Sequence, residues 1–304
     1  MAEKKVALIG CGIIGAGLAV NAMSHGYTVG MRDINDQLLE VAKKRVADIF
    51  AIYVKNNVYT QAEADSFMAN AYYTTSIAEA VKDACFIIES VPENMDIKHA
   101  TYAEIEQTCL DDAVIGSTTS AKMPSELQEG MKHPERLVVT HPYNPSFLLP
   151  LVELCAGKQT EEKYVQKAKA YLEDMGKVAP ICRKEVSGYI VNRLSWAASK
   201  EAKASVADGL CSVEDMDNAI KYGPGLRMAI LGQLLAISQG VDGGYRNLNM
   251  KYYGKPATEL DELYAQGVDE EIANRPAEIG NTVEGVNEYL YKMIIEILRL
   301  QKMI

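Results

Sequence analysis

The sequence predicts an α/β protein: a doubly wound, mostly parallel sheet followed by an all-α C-terminal part. Three observations predict it. Near the N-terminus a short apolar run leads into a glycine-rich turn and then into a helical pattern. Strand-like runs then alternate with helical stretches as far as Cys182, the order that builds a parallel sheet with helices on both faces. From Ser187 strand patterns vanish and helical periods dominate. A boundary near residue 185 therefore separates an α/β domain, 1–185, from a helical domain, 186–304. A length of 304 residues agrees with two domains.

Val6 to Ile9 reads as the first strand. Gly10-Cys11-Gly12-Ile13-Ile14-Gly15 follows it, the G-x-G-x-x-G pattern. Ala16 to Ser24 has helical composition, Gly26 closes that helix, Thr28 to Met31 is a second strand, and Asp33 stands at its end. The parts make one βαβ unit with an acid about 20 residues beyond the glycines. Gly10 permits the tight turn, Gly12 lets the backbone approach a pyrophosphate, and Gly15 lets helix and strand pack closely. Ile13 and Ile14 lie where the loop opens into the helix, whose free N–H groups suit phosphates. Asp33 can accept both ribose hydroxyls and would repel a 2′-phosphate. The expected cofactor is therefore NAD rather than NADP, with Arg32 and Arg45 as the only features favouring a phosphate. This is a Rossmann-type unit. The lysines and apolar run also permit a signal-peptide reading, but four glycines in residues 10–17 suit a turn better than an apolar helix.

Further along, Gln37 to Val54 reads as one long helix. Cys85 to Val91, Ala113 to Ser117, Leu137 to Thr140 and Leu151 to Leu154 read as strands. Thr160 is the expected cap of a helix with Glu161 and Glu162 in its first turn, where the helix dipole favours them. Val165, Ala168, Leu172 and Met175 line its inner face, Gly176 ends it, and Val178 to Cys182 is the last strand. Residues 254–271 are polar and read as a mobile loop. In the closing helix Leu290, Met293, Ile294, Ile297 and Leu298 share one face.

Composition narrows the partners. The net charge is −10, and no basic stretch exceeds Lys43-Lys44-Arg45, so neither nucleic acid nor a membrane is an expected partner. The six cysteines form no CxxC pair and no Cys/His cluster, which indicates neither a metal site nor a disulfide framework. Buried free thiols in a reducing cytoplasm are the plainer reading.

The stretch "THPYNPSFLLPLVEL", residues 140–154, places a histidine and a glutamate inside what reads as buried sheet. Ligands of such sheets bind beyond the carboxyl ends of strands, and His141 stands at such an end. A turn at "PYNP" can return Glu153 beside the imidazole, where a carboxylate fixes the tautomer and stabilises the imidazolium. The free ring nitrogen is then a base for a hydroxyl proton. The bland alternative is a structural histidine and a capped or solvated glutamate.

These residues carry a resemblance. "THPYNPSFLLPLVEL", the glycine unit, "ESVPENMDIK" at 89–98, "STTSAKMP" at 117–124 and "SGYIVNRL" at 187–194 resemble, in order, motifs of the 3-hydroxyacyl-CoA dehydrogenase family. The resemblance implies an NAD-binding N-terminal domain and a helical C-terminal domain that dimerises. It implies His141 as general base and Glu153 as its orienting partner. Ser120 and Asn192 resemble polar contacts to the reacting oxygen, Glu93 and Lys98 nicotinamide-side residues, and Asn144 a further cofactor contact. Without the motif order, Glu93 and Lys98 read as a surface ion pair, Ser120 as a turn hydroxyl and Asn192 as an exposed amide.

"YGPGLRMAILGQL", residues 222–234, departs from the acyl-CoA enzymes. It resembles the branch containing λ-crystallin, L-gulonate 3-dehydrogenase and L-carnitine dehydrogenase, whose substrates are free hydroxy acids. An ungapped match also sets Ile49 and Asn56 where acyl-CoA enzymes tend to have a Ser and a Lys, with the adjacent Lys55 able to compensate for the second. Arg227 is then a candidate for a substrate carboxylate, against the bland reading of an interface arginine. The resemblance thus implies oxidation of a 3-hydroxy acid to a 3-oxo acid. Alternatives are a CoA thioester substrate, and a crystallin-like structural or NAD-binding protein without turnover.

Overall fold

The computed structural model describes residues 4–304. The chain divides into two compact units, 1–197 and 198–304. The first is built on an eight-stranded sheet in the order β3-β2-β1-β4-β5-β6-β7-β8. Its strands are β1 (Lys5–Ile9), β2 (Thr28–Arg32), β3 (Ala71–Thr74), β4 (Phe86–Glu89), β5 (Val114–Ser117), β6 (Leu137–Pro142), β7 (Val152–Ala156) and β8 (Ile181–Cys182). Pairing is parallel from β3 across to β6, antiparallel between β6 and β7, and parallel again to β8.

Alternation of side chains splits β1 between two cores. Val6 and Leu8 face one layer with Leu18, Val46, Phe50 and Leu172, while Ala7 and Ile9 face the other with Ile77, Tyr102 and Ile105. Both faces are therefore covered, which is why these strands are continuous apolar runs instead of alternating ones. The covering helices are α1 (Ile13–Ser24), α2 (Asp36–Lys55), α3 (Gln61–Met68), α4 (Ile77–Val81), α5 (Met95–Ile105), α6 (Pro124–Leu127) and α7 (Glu162–Asp174). α8 (Val191–Ala207) begins in this unit and ends in the second.

Several local expectations change. α1 starts at Ile13, not Ala16, because the glycine loop passes directly into the helix. Thr160 does not cap α7. Glu161 is the N-cap, without a side-chain bond, and the Thr160 hydroxyl instead donates to the Leu137 carbonyl at 2.6 Å. Residues 61–81, to which the sequence pattern assigns nothing, form α3, edge strand β3 and α4.

The second unit contains α9 (Val213–Tyr222), α10 (Pro224–Leu231), α11 (Gln233–Ser238), α12 (Tyr245–Tyr253), α13 (Glu259–Ala273) and α14 (Val283–Leu300). α13 corrects the expected mobile loop at 254–271. Thr258 and Asp261 form a reciprocal capping box at its start, and Ala265, Val268 and Ile272 give it a buried face at helical spacing. That face packs in one core with Leu231, Leu235, Val286 and Leu290.

Candidate active site

The strand order reverses between β1 and its neighbours β2 and β4, and the glycine loop lies at the carboxyl end of β1. Gly10 has φ +96°, and a Cβ there would lie 2.5 Å from the Ser90 carbonyl oxygen. A Cβ on Gly15 would overlap the Gly10 carbonyl. Gly12 differs: a Cβ there would meet no atom within 4 Å. Its open side faces a cavity of about 660 Å³ lined by Gly10, Gly12, Asp33, Ile34 and Thr101. Gly12 is also the N-cap of α1 and brings no side chain to the first-turn N–H groups. The loop therefore offers uncapped backbone donors at a helix start, the arrangement that receives a phosphate.

Asp33 stands at the cavity edge. Its Oδ2 accepts the Cys11 N–H at 3.0 Å and its Oδ1 the Ile34 N–H at 2.8 Å. Each oxygen keeps a lone pair for a further donor, as a ribose diol needs. Arg32 and Arg45 line the same cavity, bonded to the carbonyls of Thr75 and Cys11. Glycine geometry, helix start and oriented carboxylate together fit NAD.

His141 and Glu153 are direct register partners across β6 and β7. The antiparallel return was needed for this, because it turns the chain back within a few residues. His141 Nδ1 lies 2.9 Å from Glu153 Oε2. Glu153 Oε1 accepts two backbone N–H groups, from Ile190 at 3.0 Å and Val191 at 2.8 Å. These are the first donors of α8, so the helix dipole adds to the stabilisation of the carboxylate. His141 is 5% exposed and Glu153 1%. A charge so buried persists only when paired and hydrogen-bonded. The imidazole lines a pocket of about 490 Å³ with Ile14, Ser120, Tyr143, Asn144 and Asn192. Asn192 lies in the first turn of α8, so one helix start both fixes Glu153 and presents Asn192.

Glu93 and Lys98 are not a surface pair. Lys98 is 1% exposed, and its Nζ contacts Glu89 Oε1 at 2.8 Å and Glu93 Oε2 at 3.4 Å. Burial alone would raise the Glu93 carboxyl, but the Thr119 hydrogen bond and the Lys98 charge outweigh it and hold the group below the usual carboxylate range. Glu93 is the partly exposed member of the cluster.

Sequence reasoning missed three residues. Glu89, fully buried, accepts Lys98 Nζ, the Val91 N–H at 2.8 Å, and the hydroxyls of Tyr102 and Ser117, both at 2.6 Å. A carboxylate ending the apolar run "FIIE" was its signal, the same anomaly that marks Glu153. Tyr189 has its ring 5.3 Å from the His141 ring and donates its hydroxyl to the Lys122 carbonyl at 2.7 Å, beside the Ser120 loop. Its φ of +48° is uncommon for a bulky side chain, and no pattern announced it. The third is Lys177, buried and bonded to the Ser146 carbonyl. Arg227 lies on α10 of the second unit, where its guanidinium donates to the Ala236 carbonyl. Ile49 packs in the core of the first unit, and the Asn56 amide caps α2 by donating to the Ile52 carbonyl at 2.8 Å.

The family model "3-hydroxyacyl-CoA dehydrogenase, NAD binding domain" matches residues 5–186, and "3-hydroxyacyl-CoA dehydrogenase, C-terminal domain" matches 188–282. The chain belongs to the 3-hydroxyacyl-CoA dehydrogenase family. L-carnitine dehydrogenase of Oceanobacillus iheyensis is 35% identical over 305 residues, covering 96% of this chain and 97% of that one. L-carnitine dehydrogenase of a Pseudomonas species is 36% identical over 285 residues, 91% of this chain and 87% of that one. The structure of (S)-3-hydroxybutyryl-CoA dehydrogenase from Ralstonia eutropha aligns with TM-score 0.69 and 27% identity, covering 87% of this chain and 94% of that one. As a 3-hydroxyacyl-CoA dehydrogenase family member, the chain is an NAD-dependent dehydrogenase acting on a CH–OH group of a small molecule. Among the described residues no helix is long and apolar enough to cross a membrane, and no three His, Cys, Asp or Glu side chains cluster as metal ligands.

Proposed function

We propose that this dehydrogenase oxidises the 3-hydroxyl of a free 3-hydroxy acid to the 3-oxo acid, reversibly. The observation that carries the reading is the buried His141–Glu153 pair in a pocket it shares with Ser120 and Asn192. Gly10, Gly12, Ile13, Ile14, Gly15, Asp33, Glu93, Lys98 and Asn144 would hold NAD, with Lys98 acting through Glu93. NAD, when bound, supplies the acceptor for the hydride. Ser120 and Asn192 hold the substrate oxygen. His141 Nε2 takes the hydroxyl proton as the O–H bond breaks, and the freed pair becomes the second C–O bond while the carbon releases hydride. Glu153 stabilises the imidazolium so formed, a contribution to general-base catalysis of about 10²-fold or more.

Two features support a free acid over a CoA thioester. Ile49 is buried and Asn56 is an uncharged amide, so these two positions supply neither the hydroxyl nor the ammonium expected for CoA. The curated relatives named above are dehydrogenases of L-carnitine, itself a 3-hydroxy acid with a free carboxylate. Arg227 is our candidate partner for that carboxylate, and Arg227→Lys should raise KM for the acid by about tenfold without changing NAD affinity. We also propose a homodimer formed through the helical domain, 186–304, supported by exposed Leu263, Tyr291 and Leu300, and a cytoplasmic location, supported by six unpaired cysteines. The test is NAD reduction with a panel of free 3-hydroxy acids, L-carnitine included, beside 3-hydroxybutyryl-CoA. Higher kcat/KM with the thioester would remove the free-acid reading. No turnover of any of them, with NAD still bound, would leave a binding protein.

A further inference from the structure

Lys177 follows Gly176 beyond the end of α7 and is 5% exposed. Among the described residues its ammonium has no carboxylate partner. It donates instead to two backbone carbonyls, Ser146 at 2.5 Å and Leu149 at 3.2 Å. Both belong to the connection between β6 and β7, the segment whose Tyr143 and Asn144 line the pocket beside His141. An ammonium buried without a counter-ion is disfavoured, and burial brings this one down to about 8. An apolar side chain of similar length would fill the space without that cost, so the donors themselves need an explanation.

The same connection is fastened on its other sides. The Ser146 hydroxyl donates to the Ile14 carbonyl at 3.2 Å. Asn21 of α1 and Tyr53 of α2 both donate to the Phe147 carbonyl, at 3.1 and 2.5 Å. The approach to α1 is so close that a Cβ on Gly17 would overlap the Ser146 hydroxyl. Ser146 therefore joins two things: its carbonyl is held by Lys177, and its hydroxyl holds the first turn of α1. Ile14 stands in the first turn of α1, directly after the glycine loop, and lines the His141 pocket.

We propose that Lys177 is a positioning residue for the dinucleotide site: it fixes the β6–β7 connection against α1, so that Asn144 and the Ile14 turn keep the spacing NAD needs. This rests on the reading that the His141 pocket receives the nicotinamide end. Lys177→Met keeps the length and removes the donors, and Lys177→Arg keeps charge and donors. NADH affinity is read by fluorescence titration, KM for NAD and kcat by steady-state assay, and folding by thermal melting. Folded Lys177→Met should bind NADH at least about threefold more weakly, with KM for NAD rising more than kcat falls, and Lys177→Arg should recover most of the affinity. A smaller change in Lys177→Met overturns the proposal. If that variant does not fold, Ser146→Ala breaks the next link and is judged by the same limit. A wild type that binds NADH but oxidises no 3-hydroxy acid would sink the substrate reading while the NADH titrations still decide on Lys177.

Discussion

His141 and Glu153 face each other across β6 and β7, and the glutamate is held from both sides: Oε2 by the imidazole at 2.9 Å, Oε1 by the first N–H groups of α8. The second contact matters for what a substitution would do. In Glu153→Gln the amide oxygen would stay on the α8 donors, because they offer only hydrogens. The NH₂ would then point at Nδ1 and favour the tautomer protonated on Nε2, which is no base. We expect kcat for alcohol oxidation to fall by roughly 10²-fold or more, with NADH affinity unchanged by titration. His141→Ala should be similarly inactive, and the double variant little worse, because the pair acts as a unit. Additive losses would mean the two residues act independently.

Asp33 gives a second prediction. Its carboxylate is oriented by two backbone N–H groups, and Arg32 and Arg45 line the same cavity. In Asp33→Asn the side-chain oxygen can still accept from the backbone, but the negative charge that opposes a 2′-phosphate is gone. The ratio of kcat/KM for NAD to that for NADP should fall by about tenfold or more, the scale of one charge-assisted contact. An unchanged ratio would show that Asp33 does not read the ribose.

The part of the site legible in the sequence was the part built by short-range rules. The alternation of strands and helices follows from local pattern, and the sheet bears it out; the glycine loop and Asp33 follow from the same pattern and stand just beyond the ends of β1 and β2. Glu153 was conspicuous because a carboxylate interrupts an apolar run. Glu89 ends one too, yet its four donors come from the turn just past β4, from α5 and from β5, and only the assembled sheet brings them together. Lys177 reads as an ordinary lysine after a helix, since nothing local says that its Nζ reaches carbonyls in another connection. α13 was lost to its polarity: its exposed face is acidic, and its buried face is only Ala265, Val268 and Ile272 among many charges.

Glu89 supplies the third prediction. Its two oxygens take four donors, one of them the buried Lys98 ammonium. Glu89→Gln replaces one acceptor oxygen by an NH₂ group facing the hydroxyls of Tyr102 and Ser117 or the ammonium itself. Removing one member of a buried pair costs about 3–5 kcal/mol, and the lower end applies here because Glu93, 3.4 Å from the Lys98 ammonium, still offsets part of its charge. The urea midpoint should drop by the equivalent of roughly 3 kcal/mol at an unchanged slope. A loss below about 1 kcal/mol, the scale of a surface pair, would mean water reaches the cluster.

Lys177 supplies the last, through pH. Burial lowers its ammonium to about 8 in the folded chain, whereas an unfolded lysine titrates near 10.4. Between these values the unfolded chain binds more protons at this position than the folded one. Stability therefore gains from this group as pH rises from about 8 to about 10.4, and is insensitive to it below and above that window. The informative quantity is the difference between wild type and Lys177→Met, in which the contributions of groups common to both proteins cancel. Methionine forfeits the bonds to the Ser146 and Leu149 carbonyls at every pH, which sets a constant offset. On top of it, the stability of wild type relative to the variant should be higher at pH 10 than at pH 7.5, by up to a few kcal/mol. Urea melts of both proteins at the two pH values measure it. An equal difference at both would mean that the Lys177 ammonium is as well solvated in the folded chain as in the unfolded one.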